Sequence, residues 1–281
     1  MLGQPSQAER WFERMLVLDS WARANGLPVA PPMLRVKRLY GLGRLRLSRG
    51  KMVEAEAITQ EALHQAEQIS DENGMANAWA TLGMIAQASG RLDHAEEAFN
   101  QSALHGDRAA DPQLGYRAVV WQAELARARG ELPRAEALLS EALTSAQTYE
   151  SGWDTAVITT LLGHLAFQQQ DIPLAKVRYR DGLNRLRVFG SPTYTAWCVE
   201  GCAAVLVAEG RAEASARLCA AAASLRQRAA TPLPDGERTA FEQVVAKARE
   251  LLGQSAFQQN WAVGAGYTLD EVIGIALAEL D

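Results

Sequence analysis

Cysteine is scarce: Cys198, Cys202 and Cys219 are the only three in 281 residues, clustered in one region without framework spacing. An odd, clustered set excludes a disulfide scaffold and fits a reducing compartment, so a cytoplasmic location is expected. Aromatics are only 7% of the chain, and lysines number four against 24 arginines. The apolar share rests on Ala and Leu, which favours helices over a Val-, Ile- and Tyr-rich sheet. The most apolar runs, such as Cys202–Ala208, fall far short of the ~20 residues of a membrane span. The opening MLGQPSQAERWFER has no apolar stretch and does not read as a secretory signal. Positive charge is also wanting: the net charge is −5, so no overall basic field draws nucleic acid. With 48% hydrophobic and 22% charged residues, a disordered tail is excluded.

What is present is a repeat. Gly50, Gly90, Gly130 and Gly210 stand at multiples of 40, with Gln170 in the missing slot. Five residues on come Ala55, Ala95, Ala135, Ala175 and Ser215. Seven residues before come Gly43, Gly83, Ala123, Gly163 and Ala203, and twelve after come Ala62, Ser102, Ala142, Gly182 and Ala222. Large apolar residues hold a further column at Leu45, Ile85, Leu125, Leu165 and Val205. Small residues recur where helices must approach closely, and large ones where a groove must be filled. Within each unit the apolar spacing is three and four, as in Ala135, Leu138, Leu139, Ala142, Leu143. Each unit therefore reads as helix–turn–helix, with the glycine ending the first helix. One such pair cannot bury its apolar face alone, so the units must stack into a solenoid.

These columns resemble the tetratricopeptide repeat (TPR), with its W-x2-L-G-x2-Y, G, A, aromatic, A pattern. The second unit matches best, through Trp79, Leu82, Gly83, Gly90, Leu92, Ala95 and Phe99; the fifth, around Ala203, Gly210 and Cys219, diverges most. The resemblance covers roughly 35–228 and implies an all-α, right-handed TPR-like α-solenoid of about five units. The period of 40 exceeds the family's usual 34, and the extra residues are expected to lengthen the second helix and the loop after it. Breakers mark those loops at Asp71–Gly74, Asp111-Pro112, Ser151-Gly152 and Gly190–Pro192. Residues 1–33 are expected to form a capping helix or half repeat, 34–230 the five units, and 231–281 a helical cap.

The end of the chain departs from the repeat. Helices are expected at about 236–252, stopped by Gly253, at about 254–263, and at 269–280, opened by the capping box of Thr268 and Glu271. The tail residues Arg226, Pro232, Leu233, Pro234, Arg238, Phe241, Leu252, Gly253, Phe257, Trp261, Gly264, Leu269, Glu271 and Ile273 resemble the ending of a particular arm. It is the TPR sensor arm of bacterial STAND-type regulators. Those proteins pair an NB-ARC-like nucleotide-binding domain with such an arm and often add a LuxR-type or antibiotic-regulator-type DNA-binding output. The resemblance implies transcription regulation, with an upstream nucleotide-binding domain as a partner in the parent protein. No G-x-x-x-x-G-K-[ST] occurs, so that ATPase is not on this chain.

No catalytic or metal motif is visible either, and the chain reads as a non-enzyme without a cofactor. His64, His94, His105 and His164 are scattered, and Cys198 and Cys202 read as small apolar fillers rather than ligands or oxidant sensors. One basic run, 35–51, holds seven basic residues and no acid. It reads as a solvated face or domain-docking edge rather than as a nucleic-acid patch, because its charges alternate with core positions.

TPR arrays bind through the first helix of each unit, and the resemblance places contact positions three, six, ten and thirteen residues before the glycine. They fall on Lys37, Tyr40 and Arg44; Asn77, Met84 and Gln87; Arg117, Glu124 and Arg127; Thr160, His164 and Phe167; Trp197 and Glu200. Phe167 and Trp197 could equally pack between units. The expected function is a non-catalytic sensor domain taking a protein, peptide or small effector in its concave groove. The alternative is a free-standing TPR scaffold.

Overall fold

A computed structural model describes residues 7–233 and 235–281. Thirteen helices and no strand occur among the described residues. They are α1 (Gln7–Ala24), α2 (Pro32–Leu47), α3 (Met52–Gln68), α4 (Glu72–Ala88), α5 (Leu92–Arg108), α6 (Pro112–Ala128) and α7 (Leu132–Thr148). The rest are α8 (Gly152–Gln168), α9 (Ile172–Phe189), α10 (Pro192–Ala208), α11 (Ala212–Ala229), α12 (Asp235–Ala265) and α13 (Leu269–Glu279). The chain divides into two compact units, one ending at Leu125 and one beginning at Ala126, inside α6.

Each unit is a run of antiparallel helix pairs, and the fold is an all-α, TPR-like solenoid. In the first unit α2 packs on α3, α3 on α4 and α4 on α5; in the second, α7 to α11 continue the same order. The first helices of successive pairs also touch one another, α2 with α4 and α8 with α10. These first helices therefore form the inner layer of each unit.

The repeat length is distributed differently from the expectation. Helices α3 to α8 have 17 residues each, joined by turns of three. Both helices of a pair are long, and the second turn is no longer than the first. The supposed loop breakers are helix starts: Asp71 and Ser151 cap α4 and α8 by accepting from Gly74 N and Asp154 N, while Pro112 and Pro192 open α6 and α10.

Helix ends reveal a period of 20 beneath the period of 40. Left-handed residues close the first helix of each pair at Gly50, Gly90, Gly130, Gln170 and Gly210, and the second at Ser70, Ala110, Glu150, Gly190 and Ala230. Most ends carry the 6→1 bond of a Schellman turn, such as Asp71 N to Ala66 O (2.9 Å), Arg91 N to Ala86 O (2.8 Å) and Thr231 N to Arg226 O (3.0 Å).

The small-residue columns form the inter-helix contacts. Ala55, Ala95, Ala135 and Ala175 are fully buried. A Cβ on Gly83 would lie 2.4 Å from the Phe99 ring. Tyr179 is wedged between two helices, since Cβ atoms on Gly163 and Gly201 would lie 2.7 and 2.4 Å from it. Cys198, Cys202 and Cys219 are buried in the same core as fillers, and burial, above all, pushes the Cys219 thiol up to about 12.

The tail motif is built into packing. Gly253 (φ 73°, ψ 165°) breaks α12 where the stop was expected. Beyond it Phe257 and Trp261 stack at 5.4 Å, and Gly264 lies so close to α11 that a Cβ would sit 2.0 Å from Arg217 O. Thr268 and Glu271 form the expected capping box, and Val272 and Ile273 are buried. Pro234 lies outside the described residues.

Candidate functional site

Inner-layer helices carry the expected contact positions, and in the first unit these gather around one arginine. Arg44 on α2 donates from Nε to Thr81 Oγ1 on α4 (3.3 Å) and lies 5.7 Å from the ring centre of Trp121 on α6. Trp121 in turn stacks on Phe99 at 6.0 Å. Three successive inner helices are thus joined by a cation–π contact and a hydrogen bond. Trp121 lies outside the expected set: its column holds Gly41, Thr81, Leu161 and Gly201, so no repeated aromatic flagged it.

Around this line, Lys37 is exposed and Gln87, Arg117 and Glu124 are half-buried. Asn77 is anchored, donating from Nδ2 to Asn73 O (2.9 Å). Met84 packs against the Phe99 cluster. Tyr40 packs between the cores of α2, α3 and α4, and burial, above all, raises its phenol pKa.

In the second unit the expected residues split. Arg127, Phe167 and Trp197 are half-buried on the inner helices. Thr160 is fully buried, bonds back to Ala156 O (3.0 Å) and presses against Gly182, so it offers nothing to a ligand. Glu200 is engaged in two hydrogen bonds from the buried Arg226, at 2.5 and 2.7 Å. Burial pushes the Glu200 carboxyl up, and the arginine only partly opposes it.

His164 lies between these groups. Its Nδ1 is 2.9 Å from the Tyr179 hydroxyl, and its ring lies 4.6 Å from that of Trp197. Nε2 is buried without a hydrogen-bond partner. Burial first, then the positive charges of Arg127 and Arg226, lower its pKa to about 3. It is therefore a neutral ring across the physiological range. An aromatic series extends from it: Trp197 to Tyr194 at 6.2 Å, Tyr194 to Trp153 at 4.8 Å, and Trp153 to Phe189 at 5.3 Å. Trp153, Tyr194 and Phe189 were not singled out from the sequence because they lie beyond the repeated columns. Their edge-to-face geometry favours the packing reading of Trp197.

Part of the basic run is paired with acids from elsewhere in the chain. Arg35 pairs with Glu61 at 3.1 Å, Arg38 with Asp19, and Arg46 with Glu13 and, at 2.8 Å, Glu54. It is a structural seam holding α1 and α3 to α2. Two surface depressions of about 310 and 510 Å³ lie at the other end of the chain, beside Leu280 and Glu279, away from the inner helices. Among the described residues no three His, Cys, Asp or Glu side chains gather as metal ligands, and no helix is long and apolar enough to cross a membrane.

No family model matches the chain, and no curated protein matches it. Solved structures do. The crystal structure of BtubC (BKLC) from P. vanneervenii superposes with a TM-score of 0.57 at 19% identity, covering 83% of this chain and 93% of that one. A structure described as Pseudomonas aeruginosa pilF superposes with a TM-score of 0.49 at 16% identity, covering 82% and 98%. At 19% identity the first likeness speaks for the fold alone.

Proposed function

We propose that the chain is a non-catalytic interaction domain that takes an acidic or aromatic peptide segment on the inner helices of its first unit. The observation that carries this reading is the Arg44–Trp121 pair, held across three inner helices where half-buried Arg117 and exposed Lys37 add positive charge. A guanidinium over an indole presents a flat, cationic surface that suits carboxylates and rings. In the second unit the half-buried part of the inner face left for a ligand is Arg127 and Phe167, since Thr160 and Glu200 are closed off by their own partners. A small effector with the same chemistry would use the same groups.

Within that function, the chain is a sensor arm of a bacterial transcription regulator in the cytoplasm. Its ligand biases how the arm packs on a nucleotide-binding domain carried elsewhere in the parent protein. The tail residues that resemble such arms support this. A phosphate-binding G-x-x-x-x-G-K-[ST] in the reading frame around this segment is the expected finding, and a frame without one leaves the free-standing scaffold.

The binding reading is tested by screening a peptide array containing acidic, aromatic and basic 12-residue segments. Acidic–aromatic segments should bind, and Arg44→Glu with Trp121→Ser should abolish that binding while circular dichroism stays unchanged. Binding that survives both substitutions would move the site off the inner helices.

A further inference from the structure

Helix α1 presents an apolar face that none of the described residues covers. Trp11 (58% exposed), Val17 (67%), Leu18 (52%) and Trp21 (57%) stand out on α1, with Met15 beside them. At helical spacing they fall within one sector about 160° wide. The patch continues through Leu27 and Val29 to Met33 and Leu34 at the start of α2, all exposed. The solvent-facing side of a solenoid helix is normally polar. The outward face of α3 obeys this with Glu54, Gln60, Glu61, His64 and Glu67, and Val53 and Ala57 depart. The inward face of α1 is fully used: Phe12 packs 3.1 Å from where a Gly41 Cβ would stand, Leu16 joins the Leu39 cluster, and Glu13 and Asp19 pair with Arg46 and Arg38. While α3 packs on both α2 and α4, α1 is seated chiefly on α2.

Charge decides what fits the open face. Arg14 is exposed among Trp11, Leu18 and Trp21 and brings positive charge to the apolar sector. The nearby acids of α1, Glu13 and Asp19, are turned inward and neutralised. A second copy would bring two arginine-bearing faces together, which like-charge repulsion opposes. A lipid surface would meet a helix fixed by two ion pairs and followed by a turn that carries part of the same patch. A helix laid across both α1 and the start of α2 covers the whole patch, as each inner pair is covered by its neighbour.

We infer that the outer face of α1, with the start of α2, is a docking surface for an amphipathic helix of another protein segment whose apolar stripe is flanked by acidic residues. This does not rest on the inner-face reading, which concerns other helices.

The test uses the full chain and two designed 20-residue helices with the same Leu stripe, one flanked by Glu and one by Lys. Calorimetry should show the Glu-flanked helix binding about tenfold or more tighter than the Lys-flanked one, and Arg14→Glu should reverse that order. Trp11→Ser with Leu18→Ser should abolish binding, whereas Val188→Ser, at another exposed apolar position, should not. These are surface residues, and circular dichroism checks that the fold persists. Equal affinity for the two helices, or no binding by either, would overturn the inference. So would flotation with vesicles of phosphatidylcholine and phosphatidylserine without helix binding, or a dimer in sedimentation equilibrium that Leu18→Ser dissolves.

Discussion

Five left-handed positions in this chain are filled by residues other than glycine, and replacing them should stabilise the array. Ser70, Ala110, Glu150, Gln170 and Ala230 have φ of 53°, 51°, 52°, 65° and 53°. A side chain in that region costs about 1–2 kcal/mol through the clash of Cβ with the following carbonyl. Glycine removes the clash but gives up about 0.5–1 kcal/mol of backbone entropy. The net gain is about 0.5–1 kcal/mol per site. All five side chains are exposed, so little else is lost. The sites are at least 20 residues apart in the chain and at separate turns, so their effects should add, to about 2.5–5 kcal/mol. Urea unfolding followed by helical ellipticity is the assay. With a slope of about 3 kcal/mol/M, the midpoint of the five-glycine variant should rise by about 0.8–1.7 M. Gly90→Ala is the converse control. Gly90 has φ 73° and nothing within 4 Å of a Cβ, so its loss of stability, about 1 kcal/mol, reports backbone strain alone. A five-glycine variant that unfolds at the same urea concentration or lower, or a silent Gly90→Ala, would refute the reasoning.

Three further outcomes follow from the packing. Gly83→Ala should cost about 1–3 kcal/mol in thermal melting, because the Cβ meets Phe99 at 2.4 Å, and Phe99→Leu in the same chain should recover part of it. Glu200→Gln should cost about 2–4 kcal/mol, since buried Arg226 is left with only Glu237, 4.0 Å away, to oppose its charge; Glu200→Gln together with Arg226→Met should melt higher than the single variant. His164 is held neutral, with a pKa of about 3 against 6.5 in the unfolded chain. Its contribution is complete above pH 6.5 and is lost as pH falls towards 3, because only the unfolded state takes the proton in that window. Because the ring keeps some exposure, about 2–4 kcal/mol of acid sensitivity should vanish in His164→Gln when the two are titrated side by side.

Much of the architecture was legible because glycine marks left-handed turns cheaply. The column at Gly50, Gly90, Gly130 and Gly210 announced every first helix, and Gln170 kept its conformation without its residue type. The second set of turns was hidden because only Gly190 uses glycine there; Ser70, Ala110, Glu150 and Ala230 adopt the same φ under packing pressure and leave no compositional trace. That is why the extra length was assigned to the second helix and a loop rather than to two long helices. The candidate site was legible by helix but not by residue. Spacing put Thr160 and Glu200 on the inner layer, yet their fates depend on Gly182 and Arg226, which come from α9 and α11. The acids that pair with Arg35, Arg38 and Arg46 of the basic run, Glu13, Asp19, Glu54 and Glu61, were likewise outside the window in which the charges were counted.

The tail deserves a different weight once its contacts are known. Gly253 makes a kink, Phe257 and Trp261 stack, Gly264 permits backbone contact with Arg217, and Thr268 with Glu271 caps the final helix. Arg226 holds Glu200 from within the last repeat. Other contacts join the same elements: Arg211 and Arg217 bind Glu279, and Arg228 donates to Tyr267 O at 3.0 Å. Residues that clamp these helices together are constrained by the fold whatever the chain binds. What distinguishes one such chain from another lies in residues the clamp does not constrain, here Arg44 with Trp121 on the inner layer and Trp11, Arg14, Leu18 and Trp21 on the first helix. Partner specificity is therefore to be sought by exchanging those residues while the tail is kept intact.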